Sequence, residues 1–374
     1  MRTRAEFKHH PRQPGFRGEA VPLTQSPQPR LGLILGAGQH LRTADGAKRF
    51  DLSVIDLDDP ALPLTLIPMD FFGHGIAADP LNPQCISVFE KRGRGACEID
   101  LGQGRVSRSI PTADNRQFYG HGAYSHDGRL LFCTETIMEG DCPGVIAVRD
   151  ARSHDYLGEF PSYGAHPHDC RLIDDGRTLV VTNGGGPREG AAPNVAYIDI
   201  RSEQLLEKLE FERRDINAGH LDIAADGSLA VISAQRQGLP QQAPGGISLR
   251  PAGGGFRTLR KPSGLIKRLR GETLSVRIHA PTGVVGATTP EGNLLTFWDM
   301  ASGELIRFYE LENPRGIELT RDGEHFVVSF GFRRPAEALT LFSARTLEKV
   351  EGFDLDPVAI TGSHLFSYSL PSAA

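Results

Sequence analysis

The sequence predicts an all-β fold, a seven-bladed β-propeller closed by the C-terminal strand joining the first blade. Three observations carry that expectation. A strand-and-turn unit, led by histidine in its clearest copies, recurs about every 48 residues; 43 glycines and 26 prolines punctuate the chain; and helical periodicity is scarce. With 39% hydrophobic and 23% charged residues in 374, a large core can form and global disorder is excluded. The net charge of -5 excludes wholesale nucleic-acid binding.

Residues 1–30 are polar and hold Pro11, Pro14, Pro22, Pro27 and Pro29, so they read as a flexible N-terminal arm ahead of a propeller over 31–374. The opening ten residues, Met1 to His10, have a basic start but no apolar core, unlike a secretory signal. No apolar run approaches the length of a transmembrane segment, and the compartment stays open. Five cysteines, Cys85, Cys97, Cys133, Cys142 and Cys170, show no C-x-x-C spacing and mostly read as buried thiols.

The first blade takes three strands from Leu31–Gly36, Phe50–Leu57 and Pro63–Met69. Four repeats then open on His74, His121, His168 and His220, and their second strands are Cys85–Phe89, Leu130–Thr134, Thr178–Thr182 and Ser228–Ser233. Two more, from Val276 and Gly316, keep the strand and turn without the leading histidine. The last, Gly362 to Tyr368, supplies a strand with no successors, and closure of the ring gives it a place as the innermost strand of the first blade. The Asp-Gly pairs at 127–128, 175–176, 226–227 and 322–323 suit tight turns, where glycine accepts positive φ.

Gly73-His74-Gly75, Tyr119-Gly120-His121-Gly122, Pro167-His168-Asp169 and Thr182-Asn183-Gly184-Gly185 resemble an uncharacterised bacterial seven-bladed propeller family, over about residues 31–370. The resemblance implies genes that often lie beside iron-uptake genes and members that are often exported. It implies no reaction.

In a propeller the first strand of each blade lines the central channel. His364, His74, His121, His168 and His220 therefore fall near one mouth of the channel, on successive blades. Converging imidazoles hold iron, copper, zinc or nickel, so the five are candidate metal ligands, iron first from the family's gene company and copper second from ligand type. A purely structural role for them is the competing reading. His166 lies two residues before His168 and only one of the pair fits the register, while His279 has the wrong strand parity. Asp169 and Asp222 are candidates to orient an imidazole, and Arg315 or Arg277 to draw a small anionic ligand into the channel.

Other features are weaker. Glu135, Glu139 and Asp141 read as a solvated acidic loop, and Arg257–Arg270 as a basic loop between blades. The run from Asn183 to Pro187 lacks the Lys and Ser/Thr of a phosphate loop, and no Gly-x-Ser-x-Gly elbow occurs. The leading expectation is a metal-binding propeller in iron handling or redox chemistry. The alternatives are a non-catalytic propeller with a protein partner at its rim and a lactonase-like hydrolase.

Overall fold

The structure, a computed structural model, describes residues 31–41, 46–59, 64–331 and 337–369. The arm expected over 1–30 lies outside the described residues. Almost all regular structure is antiparallel strand, with one four-residue helix at Ser263–Ile266. No helix among the described residues is long and apolar enough to cross a membrane.

Each repeat folds as a four-stranded meander whose strands differ in burial by position. In the His168 repeat the inner strand Pro167–Ile173 is followed by Thr178–Asn183 and Asn194–Asp199, both buried at every residue, and then by Gln204–Glu210, which is exposed at most positions. The middle strands are sandwiched between neighbouring sheets, so they carry small and apolar residues on both faces, while the outer strand meets water and admits Gln, Glu and Lys.

The sheet count corrects the sequence expectation of seven blades. Among the described residues, five blades are separate four-stranded sheets; the other eight strands form one continuous sheet holding both the His74 and His121 repeats. The cause is local. The second strand of the His74 repeat runs nine residues, Cys85–Gly93, against six in Thr178–Asn183 and five in Leu229–Ser233. Its last residues pass beyond their own sheet and pair with Arg116–Tyr124 through Lys91↔Tyr119 and Gly93↔Phe118. The sequence reading ended this strand at Phe89.

The ring closes where Phe366–Tyr368 pairs with Leu33–Leu41, Leu35 opposite Phe366 and Leu33 opposite Tyr368. Apolar clusters fill the wedges between successive repeats. One of them packs Ile232, Ile247 and Leu249 of the His220 repeat against Val285, Ala287 and the fully buried Trp298 of the next. Gly128, Gly176, Gly227 and Gly323 have φ of 64°, 81°, 85° and 74°, the conformation their Asp-Gly turns require.

Two minor expectations change. Glu135 lies inside the strand Leu130–Ile137, buried against the Arg149 guanidinium, rather than in a solvated acidic loop. The basic stretch contains a short strand, Arg257–Thr258, and the helix Ser263–Ile266. Four of the five cysteines are buried and Cys142 is half-buried.

Candidate metal centre

Three of the histidines are aimed by irregularities in their own strands. Inner strands carry register shifts between Gly73 and Gly75, between Phe118 and Gly122, and between Pro167 and Cys170. Each shift encloses a histidine, and a bulge turns a side chain that regular alternation would place elsewhere. Threonines on the second strands hold this backbone in place. Thr134 Oγ1 accepts from the His121 amide (3.3 Å) and donates to the His168 carbonyl (3.2 Å). Thr182 Oγ1 accepts from the Asp169 amide (3.0 Å) and donates to the carbonyl of Gly219, just before His220 (2.6 Å). Each hydroxyl thus ties one histidine-bearing strand to the next.

Glycines make the approach possible. A Cβ on Gly75 would lie 2.3 Å from the Gly120 carbonyl oxygen and 2.6 Å from His121 Nδ1. One on Gly120, whose φ is +117°, would lie 2.5 Å from His74 Cδ2. The glycine after His74 and the one before His121 leave the space that the neighbouring imidazole occupies.

The structure brings His74, His121, His168 and His220 together, with a ligand nitrogen from each within 4.8 Å of the others. His121, His168 and His220 are buried and His74 is half-buried. His364 stands beside this group with its ring edge-on, 4.0 Å between ring centres from His220, 4.7 Å from His74 and 4.8 Å from His121. His166 lies outside the group with its ring tilted against Tyr119, while His279 bonds Thr282.

The hydrogen bonds fix the tautomers. His168 Nδ1 donates to the Tyr119 carbonyl (2.8 Å) and His220 Nδ1 to the Leu274 carbonyl (2.6 Å). A carbonyl only accepts, so in each neutral ring the proton is on Nδ1 and Nε2 carries a lone pair. Yet His168 Nε2 and His220 Nε2 are 2.7 Å apart, and His74 Nε2 is 3.0 Å from His220 Nε2. His121 Nδ1 faces the buried Asp169 carboxylate at 3.2 Å, and its Nε2 is buried with no hydrogen-bond partner among the described residues, as is Nε2 of His364. Burial, reinforced by the Lys91 charge, holds His74, His168 and His220 well below the ordinary imidazole range; burial, then Arg171 and Lys91, does so for His121. Burial and the neighbouring imidazoles lower His364 likewise.

Asp169 also accepts from the Cys170 amide, Arg171 Nη1 and the Leu221 amide, which fixes the carboxylate that orients His121. Asp222 and Arg315 sit elsewhere. Asp222 accepts from Arg277 Nη1 (2.9 Å) and the Ile278 amide (2.7 Å), and Arg315 Nε donates to the Gly362 carbonyl (3.2 Å). Arg277 is clasped between Asp222 and Glu318, so its charge is already matched.

His168 also forms part of the wall of a cavity of about 510 Å³, with Lys91, Arg92, Tyr119, His166 and Glu272. Sequence reading missed this chamber. Its lysine and arginine stand in the strand extension that carried no signal of its own.

A family model described as "Protein of unknown function (DUF1513)" matches residues 67–356. The chain belongs to the DUF1513 family. The matched span contains four of the five histidines and omits His364. No curated protein matches the sequence. Solved structures similar to this DUF1513 protein include a chain of Kuenenia stuttgartiensis hydrazine synthase, at 16% identity and TM-score 0.61, covering 81% of this chain and 94% of that one. The Pseudomonas aeruginosa periplasmic gluconolactonase PpgL shows 16% identity and TM-score 0.59 over 91% and 99%. The dihydro-heme d1 dehydrogenase NirN, solved in complex with DHE, shows 15% and 0.57 over 94% and 76%. At these identities the likeness is one of fold.

Proposed function

We propose that this DUF1513 protein binds one transition-metal ion at the mouth of its channel, through Nε2 of His74, His121, His168 and His220, with His364 as a further ligand, and serves in iron handling or redox chemistry. One observation carries the reading: the Nε2 atoms of His168 and His220 face each other at 2.7 Å while both rings spend their N–H on backbone carbonyls. Two lone pairs repel at that distance. A shared proton would relieve them, but burial disfavours the imidazolium it requires. A metal ion relieves them directly. Adjacent nitrogens on one ion at about 2.1 Å lie about 3 Å apart, close to the 2.7 Å of the His168–His220 pair and the 3.0 Å of the His74–His220 pair. The donor set is neutral nitrogen, which suits iron, copper, zinc and nickel, and each of the four rings has an Nδ1 contact of the kind metal-bound histidines usually show, His74 with the Ser363 hydroxyl at 3.0 Å.

Iron ranks first on the gene company of the family that the sequence resembles. Redox use draws support from the dehydrogenase that shares the fold. Metal analysis of the purified protein tests the reading. The wild type should carry, or take up from Fe(II), Cu(II) or Zn(II), close to one ion per chain, and H121A/H168A should lose it while keeping its β-sheet circular dichroism. Protein that stays metal-free when offered all three ions would leave the histidines a structural role and favour the interaction propeller.

A further inference from the structure

The cavity beside the histidines has a charge pattern of its own. Its roof is the extension that fuses the His74 and His121 repeats, which places Lys91 opposite Tyr119 in the strand pairing and Arg92 next to it. Arg92 is held in the left-handed region, φ 60°, with Nε donating to the Tyr119 hydroxyl at 3.1 Å. Lys91 has one ion-pair partner among the described residues, Glu272, at 3.9 Å, beyond hydrogen-bond distance. Its three N–H donors are therefore unspent, on a side chain about three-quarters shielded from water. The remaining wall mixes the polar Gln117, Asn217 and Gln235 with Met138, Ala218 and Ala234. The other cation on it, Arg236, is committed to backbone carbonyls of the 185–191 loop.

An ammonium group next to four neutral imidazoles is a poor neighbour for a metal cation. The nearby Asp169 does not offset it, because Arg171 pairs with that carboxylate at 2.9 Å. With a divalent ion bound, the region holds an excess of positive charge in a shielded space, and burying unmatched charge is strongly unfavourable. An anion between Lys91 and the metal matches both. We propose that the 510 Å³ cavity binds a small organic carboxylate, anchored by Lys91 and Arg92 and reaching the metal past His168. The inference rests on the metal reading for the ligand's inner contact and on Lys91 and Arg92 for its outer one.

Malate and cobalt(II) test it. Malate added to Co(II)-loaded wild type should shift the visible d–d bands saturably. Lys91→Met should keep its Co(II) yet need at least about tenfold more malate, the loss of one charge-assisted hydrogen bond, and Lys91→Arg should restore most of the affinity. Bands that malate leaves unmoved, or a Lys91→Met variant that titrates like wild type, would overturn the proposal while leaving the metal site standing. If Co(II) does not bind at all, the metal reading still rests on the Fe(II), Cu(II) and Zn(II) test above, and calorimetric titration of malate into the metal-free protein decides the cavity. Heat lost in Lys91→Met upholds the anion site, and no binding, or equal binding, refutes it.

Discussion

Gly75 shows how much of the site is set by what a residue lacks. Histidine followed by glycine is visible in the sequence, and its recurrence is what singled out His74 and His121. The reason for the glycine was not visible, because it concerns the adjacent repeat: the Gly75 Cα faces the His121 ring and the Gly120 carbonyl across the seam. Alanine there has nowhere to go without moving that ring or that backbone. Gly75→Ala should therefore cost about 1–3 kcal/mol of stability, as overpacking does, and weaken metal uptake more than tenfold, about the loss of one well-placed ligand. Gly158→Ala is the control, since its added Cβ meets nothing within 4 Å. Thermal melts and metal content of the two variants check this, and equal metal content in Gly75→Ala and wild type would contradict the seam argument. Asp169 was legible for a similar reason, as an acid next to a histidine. Asp222 looked equivalent in sequence, but its strand places it against Arg277 instead.

Among the elements, the turns between third and fourth strands repeat a device that the strand pattern hides. Asp150 accepts from the amides of Arg152 and Ser153, Asp199 from those of Arg201 and Ser202, and Asp299 from that of Ser302. Each carboxylate closes its turn by replacing a backbone acceptor. Backbone donation lowers all three acids; at Asp199, where the Ser202 amide and then Arg177 contribute, the value falls to about 2. The folded value lies below the unfolded one, so the stabilisation is present above about pH 3.8 and is lost as pH falls through that value toward 2. Asp199→Asn keeps the turn acceptor and removes the titration. Its melting temperature should fall less steeply than that of wild type between pH 4 and pH 2, and parallel curves across that window would show that Asp199 does not contribute. The elements that escaped sequence reading share one property. The Lys91–Gly93 extension and the bulges at the histidines depart from two-residue periodicity, and periodicity was the signal by which strands were found.

At the scale of the whole molecule, the ring was readable because its repeat is long, regular and led by a conspicuous residue. The number of separate sheets was not, because fusion of the His74 and His121 repeats depends on two strand pairings, Lys91 with Tyr119 and Gly93 with Phe118, across a seam. Closure depends on as little. Phe366–Tyr368 contributes three strand pairings to Leu33–Leu41, and the Tyr368 hydroxyl adds a bond to the Pro83 carbonyl (2.7 Å) in the His74 repeat. Phe366 and Tyr368 also pack against the apolar cluster around Leu35, Ile86 and Val88. A chain ending after Leu365 keeps every histidine, and keeps the bonds of Thr361 and Gly362 to Ala37 and Gln39, yet exposes the hydrogen-bonding edge at Leu33–Leu35, and bare edges invite pairing between molecules. Losing these contacts should remove about 2–4 kcal/mol, from two half-buried aromatic rings and a few hydrogen bonds, and lower the melting temperature by about 4–8 °C. Concentration-dependent light scattering should rise with it. A truncated chain that melts with wild type and stays monodisperse would show that the ring is held by the wedges between sheets alone, with the terminal strand a passenger.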